Sequence, residues 1–198
     1  ESEQKYEENR QLEMKLLKMQ MNPHFVFNSL SVLAGLIDID AKRAEDYVIR
    51  LSRIYRHILG HIENDVVSLD EAFQWLDDYM NLLKLRYTNI ELQVKPMERR
   101  KDEYILSQSL QVLIENAVKH NAMNQHEKLT IVVERKENML VVSNNIIHPT
   151  YKSEHTIPSY KLGLDNLAKR YLMKFGKEIS VKHSSESFTV YLPIVNQG

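Results

Sequence analysis

No cysteine occurs in this sequence, so disulfides and thiolate metal sites are excluded, which fits a cytoplasmic location. Glycine and proline are scarce, at 5 each, and set against 43% hydrophobic residues that counts against an unfolded chain and for a helix-rich protein with a real core. No run approaches the ~18 apolar residues of a membrane-spanning helix, and no signal-peptide pattern opens the chain. Neither sign of charge dominates. Lys and Arg number 26 against 27 Asp and Glu, which leaves no basic excess to hold nucleic acid and no acidic tail. A length of 198 residues accommodates one large domain or two small ones. The first residue is Glu1 rather than Met, and the expectation is a fragment of a longer protein.

What is present is organised around the stretch from Leu16 to Ile37. Its apolar seam, Leu12, Leu16, Met19, Val26, Leu30, Leu33 and Ile37, recurs at alternating steps of four and three once Pro23 is counted, the pattern of a long amphipathic helix. Residues 1–11 are charged and read as the end of a signalling coiled coil that runs into it. Pro23 removes one backbone donor and clashes with the preceding turn, which predicts a bend beside His24. His24 stands one position off the seam and Asn28 follows a turn later on the same face, so the imidazole is directed to solvent or to a second domain. On pattern alone, His24 is either a half-buried polar residue of a bundle helix or a functional group.

Asp38-Ile39-Asp40 carries a turn with Asp40 as N-cap, and a second heptad pattern follows at Ala44, Val48, Leu51, Tyr55, Ile58 and Ile62. Two helices so joined make an antiparallel hairpin. One hairpin cannot cover both apolar faces, and Phe25 and Phe27 widen the stripe; pairing two hairpins into a four-helix bundle, a homodimer, solves this. Ser68 with Glu71 forms a capping box, so a new helix begins there and runs through Trp75, Tyr79, Leu82 and Leu83 towards Tyr87. The domain boundary is placed just before it, dividing residues 1–66 from 67–198.

Beyond Tyr87 strands and helices mix. Ile90, Leu92 and Val94 alternate with polar residues as a strand that ends at Pro96. The pattern then predicts a helix over 106–121, strands over 129–134 and 139–143, a helix over 164–175, and closing strands over 179–182 and 188–192. That order gives an α+β sandwich, a mixed sheet with its helices on one face. In the helix before Asn121, Leu110, Leu113, Ile114 and Val118 face inward, while Glu115, Asn116, Lys119 and His120 collect on the other side. Carboxylate, amide, ammonium and imidazole together are what a Mg-nucleotide site needs, though a solvated helix face has the same composition.

Three runs carry a family resemblance. Gln20-Met-Asn-Pro-His-Phe-Val-Phe-Asn-Ser-Leu resembles the phosphoacceptor segment of LytS-type sensor histidine kinases, Gln-x-Asn-Pro-His-Phe-x-Phe-Asn. Leu-Ile-Glu-Asn-Ala-Val-Lys-His-Asn, ending at Asn121, is similar to the N-box of GHKL-type histidine-kinase ATPase domains. The run from Gly163 to Tyr171 resembles the family's Gly-Leu-x-Asn-x-x-x-Arg-Leu box, where glycine lets backbone amides at a helix start approach a phosphate. Tyr79 to Tyr87, with Lys84 and Arg86, also resembles the stretch leading into that ATPase domain.

The resemblance implies a protein-histidine kinase with ATP and Mg²⁺ as cofactors. His24 would be the phosphoacceptor, with Asn28 a turn away positioning a water or phosphoryl group. Glu115 could serve as a base, Asn116 would ligate Mg²⁺, and Lys119 and His120 would meet phosphates or ribose. Gly163, Leu164 and Asn166 belong to the glycine box. It also implies a homodimer, a response regulator with a receiver domain, often of LytTR type, and an upstream sensor or membrane domain, which would make this the cytoplasmic region of an inner-membrane-anchored sensor.

The sequence departs from the family at two boxes. Where the family has Asp-Asn-Gly-x-Gly, this chain reads Ser143-Asn144-Asn145-Ile146-Ile147, so Asn144 offers an adenine amino group a carbonyl acceptor without the carboxylate. Lys161 replaces the first glycine of Gly-x-Gly-Leu and would either cover the phosphates or obstruct the lid, read over residues 148–160. These eroded glycines favour an alternative, a degenerate kinase that signals as a dimeric module without ATP turnover. A GHKL ATPase clamp without phosphotransfer is a third reading, against which the Pro-His-Phe run argues.

Overall fold

The computed structural model describes residues 23–60, 65–121, 127–147 and 160–196, with backbone alone at 23–25, 58–60 and 160–162. The coiled-coil lead-in, the bend before His24 and most of the lid segment lie outside the described residues. Contacts divide the chain into two compact units, Glu1–Ile49 and Arg50–Gly198.

In the first unit, α1 spans Pro23–Ile37 and α2 begins at Ala41, continuing to Gly60. Pro23 is the first described residue of α1. The turn forms at residues 38 and 39, and Asp40 caps α2 through its Oδ1, which accepts from the Arg43 amide at 3.0 Å. Leu36, Ala44 and Tyr47 are buried, whereas Phe27, Leu30, Ile37, Ile39, Val48 and Ile49 are exposed.

The second unit opens with β1 (Val66–Ser68) and α3 (Leu69–Arg86). Ser68 closes the expected capping box: its Oγ accepts from the Glu71 amide at 3.3 Å, and the Glu71 carboxylate accepts from the Ser68 amide at 3.2 Å. Next come β2 (Ile90–Val94), β3 (Glu103–Leu106), α4 (Ser109–His120), β4 (Leu129–Lys136), β5 (Met139–Asn145), α5 (Tyr160–Phe175), β6 (Ser180–His183), β7 (Ser187–Pro193) and β8 (Val195–Asn196). Five strands form a mixed sheet in the order β2-β4-β5-β7-β6, parallel between β2 and β4 and antiparallel elsewhere. The α+β class is therefore present, and the model adds a second sheet, β1-β3-β8, that patterning did not anticipate.

Leu129, Ile131 and Val133 of β4 alternate into the core and carry no exposed surface, as a half-buried strand requires. Leu140, Val190 and Leu192 continue this layer on β5 and β7, beneath Leu110, Leu113 and Ile114 of α4 and Leu167 and Tyr171 of α5. The two sheets are joined by a buried ion pair. Arg135 of β4 donates two parallel bonds, 2.7 and 2.8 Å, to the carboxylate of Glu103 on β3, which is 2% exposed. The Arg100 amide and the carbonyls of Glu98 and Glu137 complete both partners' bonding.

The helix expected over 106–121 starts later than its apolar period implies. Leu106 ends β3, and Gln108 adopts a left-handed conformation, φ 65° and ψ 4°, which turns the strand into α4. The helix expected from Leu164 already begins at Tyr160.

Candidate active site

Helix α4 presents its polar stripe much as its periodicity requires. Glu115 and Asn116 are half-buried, and Lys119 and His120 lie exposed in the last turn. Glu115 is held from two directions: Gln111, one turn earlier, donates its Nε2 to Oε1 at 2.8 Å, and the Tyr79 hydroxyl of α3 approaches the same oxygen at 3.5 Å. Burial pushes the Glu115 carboxyl up to about 7, against those two bonds and the Lys119 charge. A carboxyl poised there can hold or release a proton near neutrality. Partial burial, and secondarily Lys119, moves the His120 imidazole below its ordinary value.

Asn116 faces α5. A Cβ on Gly163 would stand 3.8 Å from Asn116 Oδ1 and 3.6 Å from Val112 Cγ1, so the glycine leaves this approach of the two helices roomy, and a methyl there would only reach van der Waals contact. The described part of α5 runs from Tyr160, so Gly163 lies inside the helix, not at the helix start where the glycine box had been expected to present amides. Asn116 Nδ2 is buried without a partner, a polar atom that a ligand could satisfy. Leu164 and Asn166 are buried in α5, and Lys161 lies on its described backbone. On β5, Asn144 is buried and donates Nδ2 to the Asn145 carbonyl at 2.7 Å, which assigns its oxygen as the acceptor side. Asn145 binds the Thr130 amide and the Lys128 carbonyl instead of facing a ligand.

These placements bring Asn116 and Gly163 together across the α4–α5 contact, while the Glu115 carboxylate turns to Gln111 and to Tyr79 of α3. His24 and Asn28 belong to α1 in the other unit; Asn28 is half-buried, and the side chain of His24 lies outside the described residues. Among the described residues no group of three or more His, Asp or Glu could hold a metal. The donor set nevertheless fits a magnesium ion carried by phosphates, which takes only one or two protein oxygens and keeps waters. It does not fit a standing all-protein metal centre.

A histidine kinase family model matches residues 12–91. The sensor protein LytS of Staphylococcus saprophyticus is 28% identical over 196 residues, covering 89% of this chain and 32% of that protein. LytS of Staphylococcus epidermidis is 30% identical over 134 residues, covering 66% of this chain and 23% of that one. These matches support a LytS-type histidine kinase catalytic region. The chain spans less than a third of the length of these relatives. A solved structure of the Acinetobacter baumannii histidine kinase AdeS is similar to the kinase region at 15% identity with a TM-score of 0.43, covering 86% of this chain and 95% of that one.

Three residues of this kinase region escaped the sequence reading. Gln111 is signalled by its i, i+4 spacing to Glu115, and Tyr79 by its place in the capped helix; neither has a motif. Arg170, quoted only as part of the glycine box, is wholly buried, and its Nη2 donates to the Ser107 carbonyl at 3.2 Å and to Ser107 Oγ at 3.3 Å. Burial lowers its guanidinium to about 10, so it stays charged while fastening α5 to the turn that begins α4.

Proposed function

We propose that this region is the phosphotransfer core of a two-component sensor kinase, which phosphorylates His24 from ATP and passes the phosphoryl group to a response-regulator aspartate. The observation that carries the reading is the meeting of Asn116 with Gly163, since two family motifs remote in sequence become neighbours around a buried, unsatisfied amide. Asn116 would hold magnesium through Oδ1, Lys119 and His120 would meet phosphate or ribose oxygens, and Asn144 would accept from the adenine amino group. Lys161 adds a positive charge on the same helix as Gly163, Leu164 and Asn166. When bound, Mg-ATP supplies the phosphoryl group and the metal offsets its charge, which is most of what such a transfer requires.

The neutral imidazole of His24 forms the new P–N bond as the P–O bond to ADP breaks. Glu115 would hold a proton, and Asn28 would orient the phosphorylated group. Two hairpins pair in this reading, domain 1–66 serving dimerisation and phosphotransfer and domain 67–198 binding ATP. The regulator carries a receiver domain, with a LytTR output as one form of it, and the sensor or membrane anchor belongs to the longer protein. None of the described helices is long and apolar enough to cross a membrane.

Incubation with radiolabelled Mg-ATP tests the reading. Acid-labile, alkali-stable label is expected on the protein and should vanish in His24→Gln while ATP binding persists. Label surviving in the variant would move the acceptor elsewhere. The loss of the adenine-box carboxylate at Asn144 favours a second reading, a dimeric signalling module without turnover; it predicts no label and no Mg-dependent ATP binding by calorimetry.

A further inference from the structure

The start of α4 borders a small cleft lined by His57, Val67, Trp75, Ile105, Gln108 and Gln111 among others, with about 20 Å³ of room for water. Three polar atoms on these walls are buried without a partner: Trp75 Nε1, Gln108 Oε1 and Gln111 Oε1. Trp75 and Gln111 are 7% and 4% exposed. Leaving one such atom unsatisfied costs roughly 1–3 kcal/mol, so three around one cleft demand a common explanation.

Their chemistry is complementary. The indole N–H is a donor only, and the two amide oxygens are acceptors only. Gln111 cannot usefully exchange its ends, because its Nε2 is committed to Glu115 at 2.8 Å. A water accepts one hydrogen bond from the indole and donates its two protons to the two carbonyls, the ~3 bonds typical of a buried water, and the cleft exceeds the ~10–15 Å³ that one needs. An ammonium ion has no lone pair for the indole, and a larger solute has no room. Gln108 also holds an unfavourable left-handed backbone, the kind of strain that persists where surrounding groups fix it.

We propose that this cleft binds one ordered water, and that the water ties the first turn of α4 to Trp75 of α3. The tie lies one helical turn before Glu115. Trp75 stacks on Tyr79 with ring centroids 4.7 Å apart, so the same aromatic pair borders both the water and the Glu115 carboxyl. His57 closes the cleft from α2, its ring centroid 6.4 Å from that of Trp75.

Trp75 is the chain's single tryptophan, so its indole N–H gives one unambiguous resonance. In the unmodified protein, nuclear Overhauser spectra should show a cross-peak from that proton to water with the sign of a long-lived bound molecule. No cross-peak, or one with the sign of surface hydration, overturns the site. The tie is read separately in Trp75→Phe, which keeps one aromatic ring and removes the N–H donor together with the five-membered ring that carries it. The Val112 amide, bonded to the Gln108 carbonyl at 3.1 Å, should exchange about five to ten times faster with deuterium, the loss of roughly one hydrogen bond's worth of protection. An unchanged rate overturns the tie. Neither readout involves ATP.

Discussion

Half-buried Glu115 and buried Glu103 carry carboxyls with opposite pH signatures. Glu115, raised from an ordinary 4.5 to about 7, binds its proton more tightly folded than unfolded. Its contribution is complete below the unfolded value and is lost as pH rises through 7. The melting temperature should therefore fall from about pH 5 to about pH 8, and Glu115→Gln should flatten that slope and melt higher at the alkaline end. Glu103 runs the other way. Arg135 holds its carboxyl below the usual range, so its stabilisation is present above 4.5 and is lost as pH falls through the lowered value. Arg135→Met would strand Glu103 without its counter-charge and should cost about 3–5 kcal/mol in urea unfolding. A loss under 1 kcal/mol would show that water reaches the carboxylate. Glu115 was legible in the sequence because its neighbours share a period and a motif. Glu103 was not, because its partner lies 32 residues away on another sheet and nothing local distinguishes a buried glutamate from a solvated one.

Elements were legible where their ends carry chemistry. Ser68 and Glu71 announce α3 through two reciprocal bonds that any Ser-x-x-Glu can make, and Ser68→Ala should cost ~1 kcal/mol, read as a lower denaturation midpoint with unchanged m-value. The pattern leaves β3 unassigned and draws its last residue, Leu106, into the following helix for a specific reason. Leu106, Leu110, Leu113 and Ile114 are spaced as one helical face, and the break between them is a left-handed glutamine where a glycine or asparagine would have signalled a turn. Strands β1 and β8 span Val66–Ser68 and Val195–Asn196, too short for alternation to register, and only their pairing on β3 defines them. Similarly, Gly163 has the sequence of a phosphate-facing loop glycine, yet it sits one turn into α5 against Val112 and Asn116. Its sequence context identified the motif, but a Cβ there would meet only ordinary van der Waals contact, so the packing of the two helices does not itself require the glycine.

At the scale of the whole molecule, the helical unit keeps apolar surface exposed among the described residues. Phe27, Leu30 and Ile37 of α1 are 70%, 54% and 57% exposed, and their spacing sets them on one face of the helix. Fully burying a side chain of this size gains about 1.5–3 kcal/mol, so three of them, doubled by two-fold symmetry, form a substantial incentive for self-association. The expected pairing of a two-helix unit with its copy as a four-helix bundle would cover Val26 and Leu33, which are only half-buried here. Leu30→Glu should place a carboxylate in that bundle, desolvate it and dissociate the pair. Light scattering is expected to give twice the chain mass for the unmodified protein and the single-chain mass for the variant. Because Leu30 lies outside the Arg50–Gly198 unit that carries Asn116 and Gly163, Mg-ATP affinity should be the same in both proteins. A variant that keeps the doubled mass would remove this face from the interface, and a variant that loses ATP affinity would show that nucleotide binding depends on pairing.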